Sequence, residues 1–298
     1  MIDILPCHDR IEELIQFITG LNSNKAHHLG LFGEGEADVR LTLTEFLIPP
    51  AEGFRMAYED GQLAGIFGVD ADPEIGRAWL GPIIEHPDWH AVADRLYTEI
   101  LTVIPAGIRE QELFCDVENR HVQDFAARHG FPLTSENAIL TLARENYRPS
   151  AKGQVQVVAY QEEFFEQLAK LHQALFPNTY MTASQMAEKK DTNHRLLLAL
   201  DQGVLLGFIF CKIEPESESG YVDFIGTDVP ARGRGIGADL LASGVDWMLS
   251  TPATKKISLT VNADNVAARN LYEKFGFITE RIMRGFRKRV MHEPESRT

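Results

Sequence analysis

Cysteine is scarce in this chain. Cys7, Cys115 and Cys211 stand far apart with no C-x-x-C spacing, which excludes a disulfide framework and a zinc cluster of the usual pattern. Long apolar runs are missing too, since none approaches the ~18 residues a spanning helix needs. The stretch from Met1 to Asp9 has no basic region followed by an apolar core, so neither a secretion signal nor a membrane span is expected. Positive charge is also in short supply: 29 Lys and Arg face 43 Asp and Glu, for a net charge of −14 and a pI near 5.2. That balance argues against a general nucleic-acid surface and favours a cationic small partner. The expectation is a cytoplasmic protein without metal, membrane or nucleic-acid partner; oligomeric state is left open.

What is present is ordinary globular material. At 298 residues, 44% hydrophobic and 24% charged, the chain is long enough for two domains of about 150 residues each. Apolar periodicity predicts a short strand over 1–6 and helices over 8–19 and 37–47, with the pattern fading over 22–35. A hairpin follows about Asp60-Gly61, then a strand over 77–84, a helix over 88–103, a strand over 113–117, a helix over 119–129 and a strand to about 144. The same order recurs: a strand over 154–160, helices over 162–176 and 183–190, a hairpin about Asp201-Gln-Gly203, and a strand from Tyr221. A strand over 257–261, a helix carrying Tyr272 and a strand over 278–289 close the chain. The polar, proline-bearing run from Glu145 to Gly153 reads as the seam.

Asp228 to Leu241 joins a strand, a glycine-dense turn and a helix start. Gly233, Gly235 and Gly237 let main-chain N–H groups crowd one point beside the positive end of a helix dipole, a geometry suited to an anion. Gly233, Gly235 and Ala238 satisfy G-x-G-x-x-A, but Pro252 to Lys256 lacks the acidic ribose partner of a dinucleotide fold. A P-loop needs Gly-Lys-Ser/Thr, and Gly237 is followed by Ala238-Asp239. A glycine-rich connection with no ligand is the third reading.

A second motif stands about thirty residues on. Arg232-x-x-Gly235-x-Gly237, then Asn265-x-x-Ala268-x-x-Leu271-Tyr272-x-Lys274-x-Gly276-Phe277, resembles the paired signature of the GNAT superfamily of acetyl-CoA-dependent N-acetyltransferases, over roughly residues 154 to 290. The resemblance implies an α/β fold with a mixed sheet splayed open at the strand before the glycine turn. It also implies a coenzyme held by Thr227, Asp228, Val229, Arg232, Gly233, Arg234, Gly235, Ile236, Gly237, Ala238, Asn265 and Ala268, with acetyl-CoA as co-substrate. The pattern departs from the family at two places: Thr227 stands where a valine is usual, and Pro230 is displaced by one.

The halves overlay. Gly65 and Gly207, Gly130 and Gly276, and Phe131 and Phe277 correspond at nearly one offset, so two GNAT-like domains in tandem are expected, 1–147 and 152–298. Where the first should carry its glycine turn it has Gly81 to His90, with two prolines that cannot donate and with Glu85 and Asp88 to repel a pyrophosphate. Ala127 occupies the place of Tyr272. The first domain is therefore expected to be degenerate and non-catalytic.

An amine must be neutral to attack a thioester, which calls for a carboxylate base. Asp223 on the strand before the turn is the first candidate; Glu214, Glu216 and Glu218 are rivals. The resemblance gives Tyr272 as the group facing the coenzyme sulfur, and a phenol suits hydrogen bonding to the leaving thiolate. A main-chain N–H near 227–229 would polarise the carbonyl. Tyr180, between the first two helices of the second half, is the candidate acceptor-lining residue. The reading is an N-acetyltransferase acting on a small-molecule or peptide amine. The alternative is a non-catalytic acyl-CoA-binding regulatory module.

Overall fold

The structure, a computed structural model, describes residues 2–149, 153, 155–177 and 179–290. Seam residues 150–152 and 154, and Asn178 of the Tyr180 loop, lie outside that set. The chain forms two compact units, of which the first is not continuous in sequence. The first runs to Asn137 and resumes at Ile282; the second runs from Ala138 to Arg281.

The first unit opens with β1 (Ile2–Pro6), α1 (Ile11–Asn22), α2 (Glu36–Glu45) and the short α3 (Pro50–Gly53). The strands β2 (Phe54–Glu59), β3 (Gln62–Asp72) and β4 (Arg77–Ile84) form an antiparallel meander, followed by α4 (Trp89–Ile100), β5 (Glu110–Asp116) and α5 (Arg120–Arg128). Asp60 and Gly61, both at positive φ, make the hairpin turn between β2 and β3. Leu14, Ile15 and Ile18 of α1 recur at helical spacing and are buried, with Phe54, Phe67, Trp89 and Phe125, in one core. Each such side chain contributes roughly 1.5–3 kcal/mol by leaving water.

The second unit repeats the plan with β7 (Gln156–Ala159), α6 (Phe165–Leu175), α7 (Ala183–Glu188), β8 (His194–Asp201), β9 (Val204–Glu214), β10 (Ser219–Thr227), α8 (Ile236–Ser250), β11 (Lys256–Asn262) and α9 (Val266–Lys274). Thr182 starts α7 with a reciprocal capping box to Gln185. Leu168, Leu198, Phe208, Phe210 and Phe224 pack between the sheet and α6–α7. The buried Leu240, Leu241, Val245 and Met248 form the apolar stripe of α8.

The strands that complete the sheets are exchanged. β12 (Ile278–Arg289) runs antiparallel to β5, from Met283 opposite Asp116 to Arg289 opposite Glu110. The first unit's strand order is thus β1-β2-β3-β4-β5-β12. β6 (Leu133–Ala143) lies beside β11, giving β6-β11-β10-β9-β8-β7 in the second. Each sheet is therefore finished by a strand from the other half of the sequence, and the strand expected to end the second domain pairs in the first unit.

The duplication is visible in local geometry. Asn119 caps α5 by accepting from the N–H of Val122 at 3.2 Å, and Asn265 caps α9 by accepting from that of Ala268 at 3.1 Å. Gly130 and Gly276 both take positive φ just after these helices. The N–H of Phe131 bonds the carbonyl of Ala126, as that of Phe277 bonds Tyr272. The counterpart of Tyr272 is therefore Ala126 rather than Ala127; the conclusion that the phenol is missing is unchanged.

Candidate active site

In the second unit, parallel pairing of β10 with β11 runs from Ser219 opposite Lys256 to Val222 opposite Leu259 and then stops, although both strands continue. The break has a local cause. Opposite β9 the register of β10 shifts between Val222 and Phe224, leaving Asp223 as the extra residue of a bulge, and a bulge bends its strand and re-aims its side chain. β10 and β11 splay apart from there.

At the open end of the splay β10 passes through a single 3₁₀ turn, Val229–Ala231, into the glycine turn and α8. Gly233 and Gly235 have φ of 80° and 82°, which only glycine adopts without strain. Among the described residues, the main-chain N–H groups from Gly233 to Gly237 have no protein acceptor; the next two, of Ala238 and Asp239, both donate to the carbonyl of Gly235. Five successive donors without a protein acceptor thus lie at the positive end of a 15-residue helix. An added Cβ at Gly237 would meet Leu271 at 3.5 Å and Thr227 at 3.6 Å, so the turn, the end of β10 and the Tyr272 helix meet there.

The remaining expected contact residues have mixed surroundings. Ile236 is buried, so only its main chain faces the turn. The Arg234 guanidinium donates to Asp201 at 2.8 Å, and Arg232 Nε to the carbonyl of Thr227 at 3.4 Å. The N–H of Asp228 is committed to the carbonyl of Leu206, whereas among the described residues that of Val229 has no acceptor. The side chain of Asn265 and the N–H of Ala268 are spent on each other.

Tyr272 is buried, its ring edge-on to Phe277 at 5.9 Å, and burial pushes its phenol up to about 12. Asp223 keeps some accessible surface as a residue, but its Oδ2 is buried without a hydrogen bond while Oδ1 accepts from the Tyr180 hydroxyl at 2.9 Å. Burial raises Asp223 to about 6, against the opposing pull of Lys212 and the Tyr180 hydrogen bond. Of the rival carboxylates, Glu214 pairs with Lys212 at 2.6 Å and Glu218 with Lys255. Tyr180 is itself half-exposed, with its hydroxyl turned in and its ring stacked on Phe224.

Sequence reasoning missed part of the sheet face around Asp223. His194, Lys212 and Tyr221 are opposite one another across β8, β9 and β10, and the Tyr221 hydroxyl meets that of Thr260 at 2.7 Å. The only local signal was Lys212-Ile-Glu214 at the end of an apolar strand, where alternation puts both charges on one face. The three cysteines are buried, and burial raises their thiols, so none is a nucleophile in waiting. Among the described residues no group of His, Cys, Asp and Glu is arranged to hold a metal, and no helix is long and apolar enough to cross a membrane.

The first unit has the same splay without the same contents. β4 pairs with β5 from Arg77 opposite Glu110 to Leu80 opposite Leu113 and no further. The β3–β4 register is unbroken, so the bulge is absent. The N–H of Glu85 bonds the carbonyl of Ala64 as that of Asp228 bonds Leu206, which marks the same place in both units; Asp223 is the residue inserted before it. From Glu85 the chain needs four residues to reach α4 at Trp89, against eight from Asp228 to Ile236, and one amide of that short loop, Asp88, already donates to His86. The gap itself is filled. His28 to Gly30 lies on the β5 edge that β12 leaves open: the N–H of Asp116 donates to His28, and the N–H of Gly30 to Phe114. Asn22 clamps this segment through Leu29, Phe32 and Gly33.

Comparison with known proteins bears on the family and the fold. Residues 162–277 match the acetyltransferase (GNAT) family. The mycothiol acetyltransferase of Mycobacterium avium is 38% identical over 84 residues, 26% of this chain and 27% of that protein. That of Mycolicibacterium vanbaalenii is 35% identical over 106 residues, 32% of this chain and 35% of that protein. The matches therefore span only about a quarter to a third of these relatives. Among solved structures, a GCN5-related N-acetyltransferase from Sphaerobacter thermophilus superposes with a TM-score of 0.72 at 12% identity, covering 97% of this chain and 95% of that one. A tandem GNAT protein from the clavulanic acid biosynthesis pathway, solved without AcCoA, gives 0.63 at 12% identity and covers 99% and 100%. At such identities these two likenesses speak to fold alone. Residues 162–277 thus carry the likeness to the acetyltransferase (GNAT) family, and the chain has the fold of a tandem GNAT structure over nearly its whole length.

Proposed function

We propose that this protein moves the acetyl group of acetyl-CoA to a primary amine by direct attack in a ternary complex, using one site in the second unit. The observation that carries the reading is the run of five unpaired N–H groups from Gly233 to Gly237 at the start of α8, beside the splay of β10 and β11. Such a cradle suits a pyrophosphate. Arg232 adds positive charge in a chain of net charge −14, as does Arg234 beside its partner Asp201, and Thr227 to Val229 with Asn265 and Ala268 flank the splay that would take the coenzyme's pantetheine arm. The unpaired N–H of Val229 is the donor assigned to the thioester carbonyl.

The amine nitrogen attacks the carbonyl carbon, forming the N–C bond as the C–S bond breaks. Asp223, the base, takes the proton that the nitrogen sheds. The coenzyme leaves as a thiolate and is protonated to the free thiol. Tyr272 hydrogen-bonds that sulfur rather than protonating it outright, since a phenol near 12 is about 3.5 units weaker than a thiol, roughly 5 kcal/mol. The filled gap, short loop and missing bulge of the first unit support a non-catalytic role for it.

The test is incubation with acetyl-CoA and a panel of amines, read by free thiol. Amine-dependent thiol release that falls at least tenfold in Tyr272→Phe is the expected result. Tight coenzyme binding with no transfer to any amine would instead make the protein a binding module.

A further inference from the structure

The two oxygens of Asp223 have unlike surroundings. Oδ1 accepts from the Tyr180 hydroxyl at 2.9 Å, and Oδ2 is buried with no partner. Tyr180 is delivered there by packing and by chain connectivity. Its ring stacks on Phe224, the next residue of the same strand, with centroids 5.1 Å apart and planes at 27°. Two residues later the Thr182 capping box fixes the chain at the start of α7.

The other ionisable groups that face Asp223 are engaged elsewhere. Lys212 and Glu214 on β9 pair with each other at 2.6 Å. His194 on β8 turns its Nδ1 to Asp191 at 2.8 Å, and Tyr221 on β10 is tied to Thr260. Cys211 on β9 is a buried thiol that donates to the carbonyl of Arg195. Among the described residues, Tyr180 alone hydrogen-bonds the Asp223 carboxyl group.

We infer that Tyr180 is a positioning residue for Asp223: by occupying Oδ1 it fixes the plane of the carboxyl group and leaves Oδ2 as the oxygen that receives the proton. The inference rests on the reading of Asp223 as the base. Burial pushes the Tyr180 phenol well above its ordinary range, so it stays protonated and remains a donor while Asp223 ionises. Donation to the charged form also holds Asp223 below the value that burial alone would impose.

The test needs no knowledge of the acceptor. In the full chain labelled with ¹³C at aspartate carboxyl carbons, the Asp223 resonance is the one absent from Asp223→Asn. Its titration is then followed in the parent and in Tyr180→Phe, which keeps the ring on Phe224 and removes only the donor. The parent midpoint is expected near 6, and in Tyr180→Phe it should rise by about one pH unit, the size of a hydrogen bond to a charged group. A midpoint that is high but unmoved, or lowered, in Tyr180→Phe would overturn the role of Tyr180 and leave the base reading standing. A parent midpoint in the ordinary carboxylate range would instead count against the base reading itself.

Discussion

Replacing Asp223 by asparagine should stabilise the protein, and more so as pH rises. The carboxyl group ionises near 6 in the folded chain against an ordinary 3.8, chiefly through burial. Two units correspond to about 3 kcal/mol, and the surface this residue retains brings a realistic figure to about 2 kcal/mol. Because the folded value is raised, the folded protein holds this proton more tightly than the unfolded chain does. The contribution is complete below about 3.8 and is lost as pH climbs through 6. The asparagine side chain has the same shape, still offers Tyr180 an oxygen and carries no charge. The variant should exceed the parent by about 2 kcal/mol at pH 8, some 4–8 °C in melting temperature for a unit of this size. At pH 5 the gain should shrink to about half. Thermal denaturation followed by circular dichroism at the two pH values decides the matter. An equal difference at both, or a variant less stable than the parent at pH 8, would mean that the charge is compensated and the argument from burial is wrong.

Two further outcomes follow from the same geometry. Asn22→Ala removes four hydrogen bonds that clamp the segment filling the first unit's gap; urea denaturation should show a loss of about 2–4 kcal/mol, with coenzyme affinity unchanged. Gly235→Ala meets no clash but must hold φ near 82°, so it should cost about 1–2 kcal/mol in stability or in coenzyme affinity; Gly237→Ala, whose φ is ordinary, should cost less in denaturation.

Much of the fold was legible locally. Asp60-Gly61 and Gln202-Gly203 announced their hairpins, and Asn265 with Gly276 bracketed a helix just as Asn119 with Gly130 did in the first half. The strand exchange was not legible, because the apolar alternation of 133–143 and 278–289 fixes a strand and not its neighbour. Residues 22–35 showed no periodicity because what orders His28 to Gly30 is main-chain bonding to Phe114 and Asp116, far away in sequence. At the site, the glycine turn could be read from its letters because main-chain conformation there depends on glycine itself. The bulge could not be read: one inserted residue, Asp223, shows only in the register against β9. Nor could its surroundings be read, since Lys212 and His194 come from two other strands and Tyr180 from the loop before α7.

The central claim is that the second unit grips a diphosphate with the free amides of residues 233–237. Calorimetric titration of coenzyme A into the full chain tests it most directly, alongside Gly235→Pro, which removes one donor and forbids the positive φ. The account predicts one coenzyme bound per chain and none in the variant. No uptake by the parent, two equivalents per chain, or undiminished affinity in Gly235→Pro would contradict it.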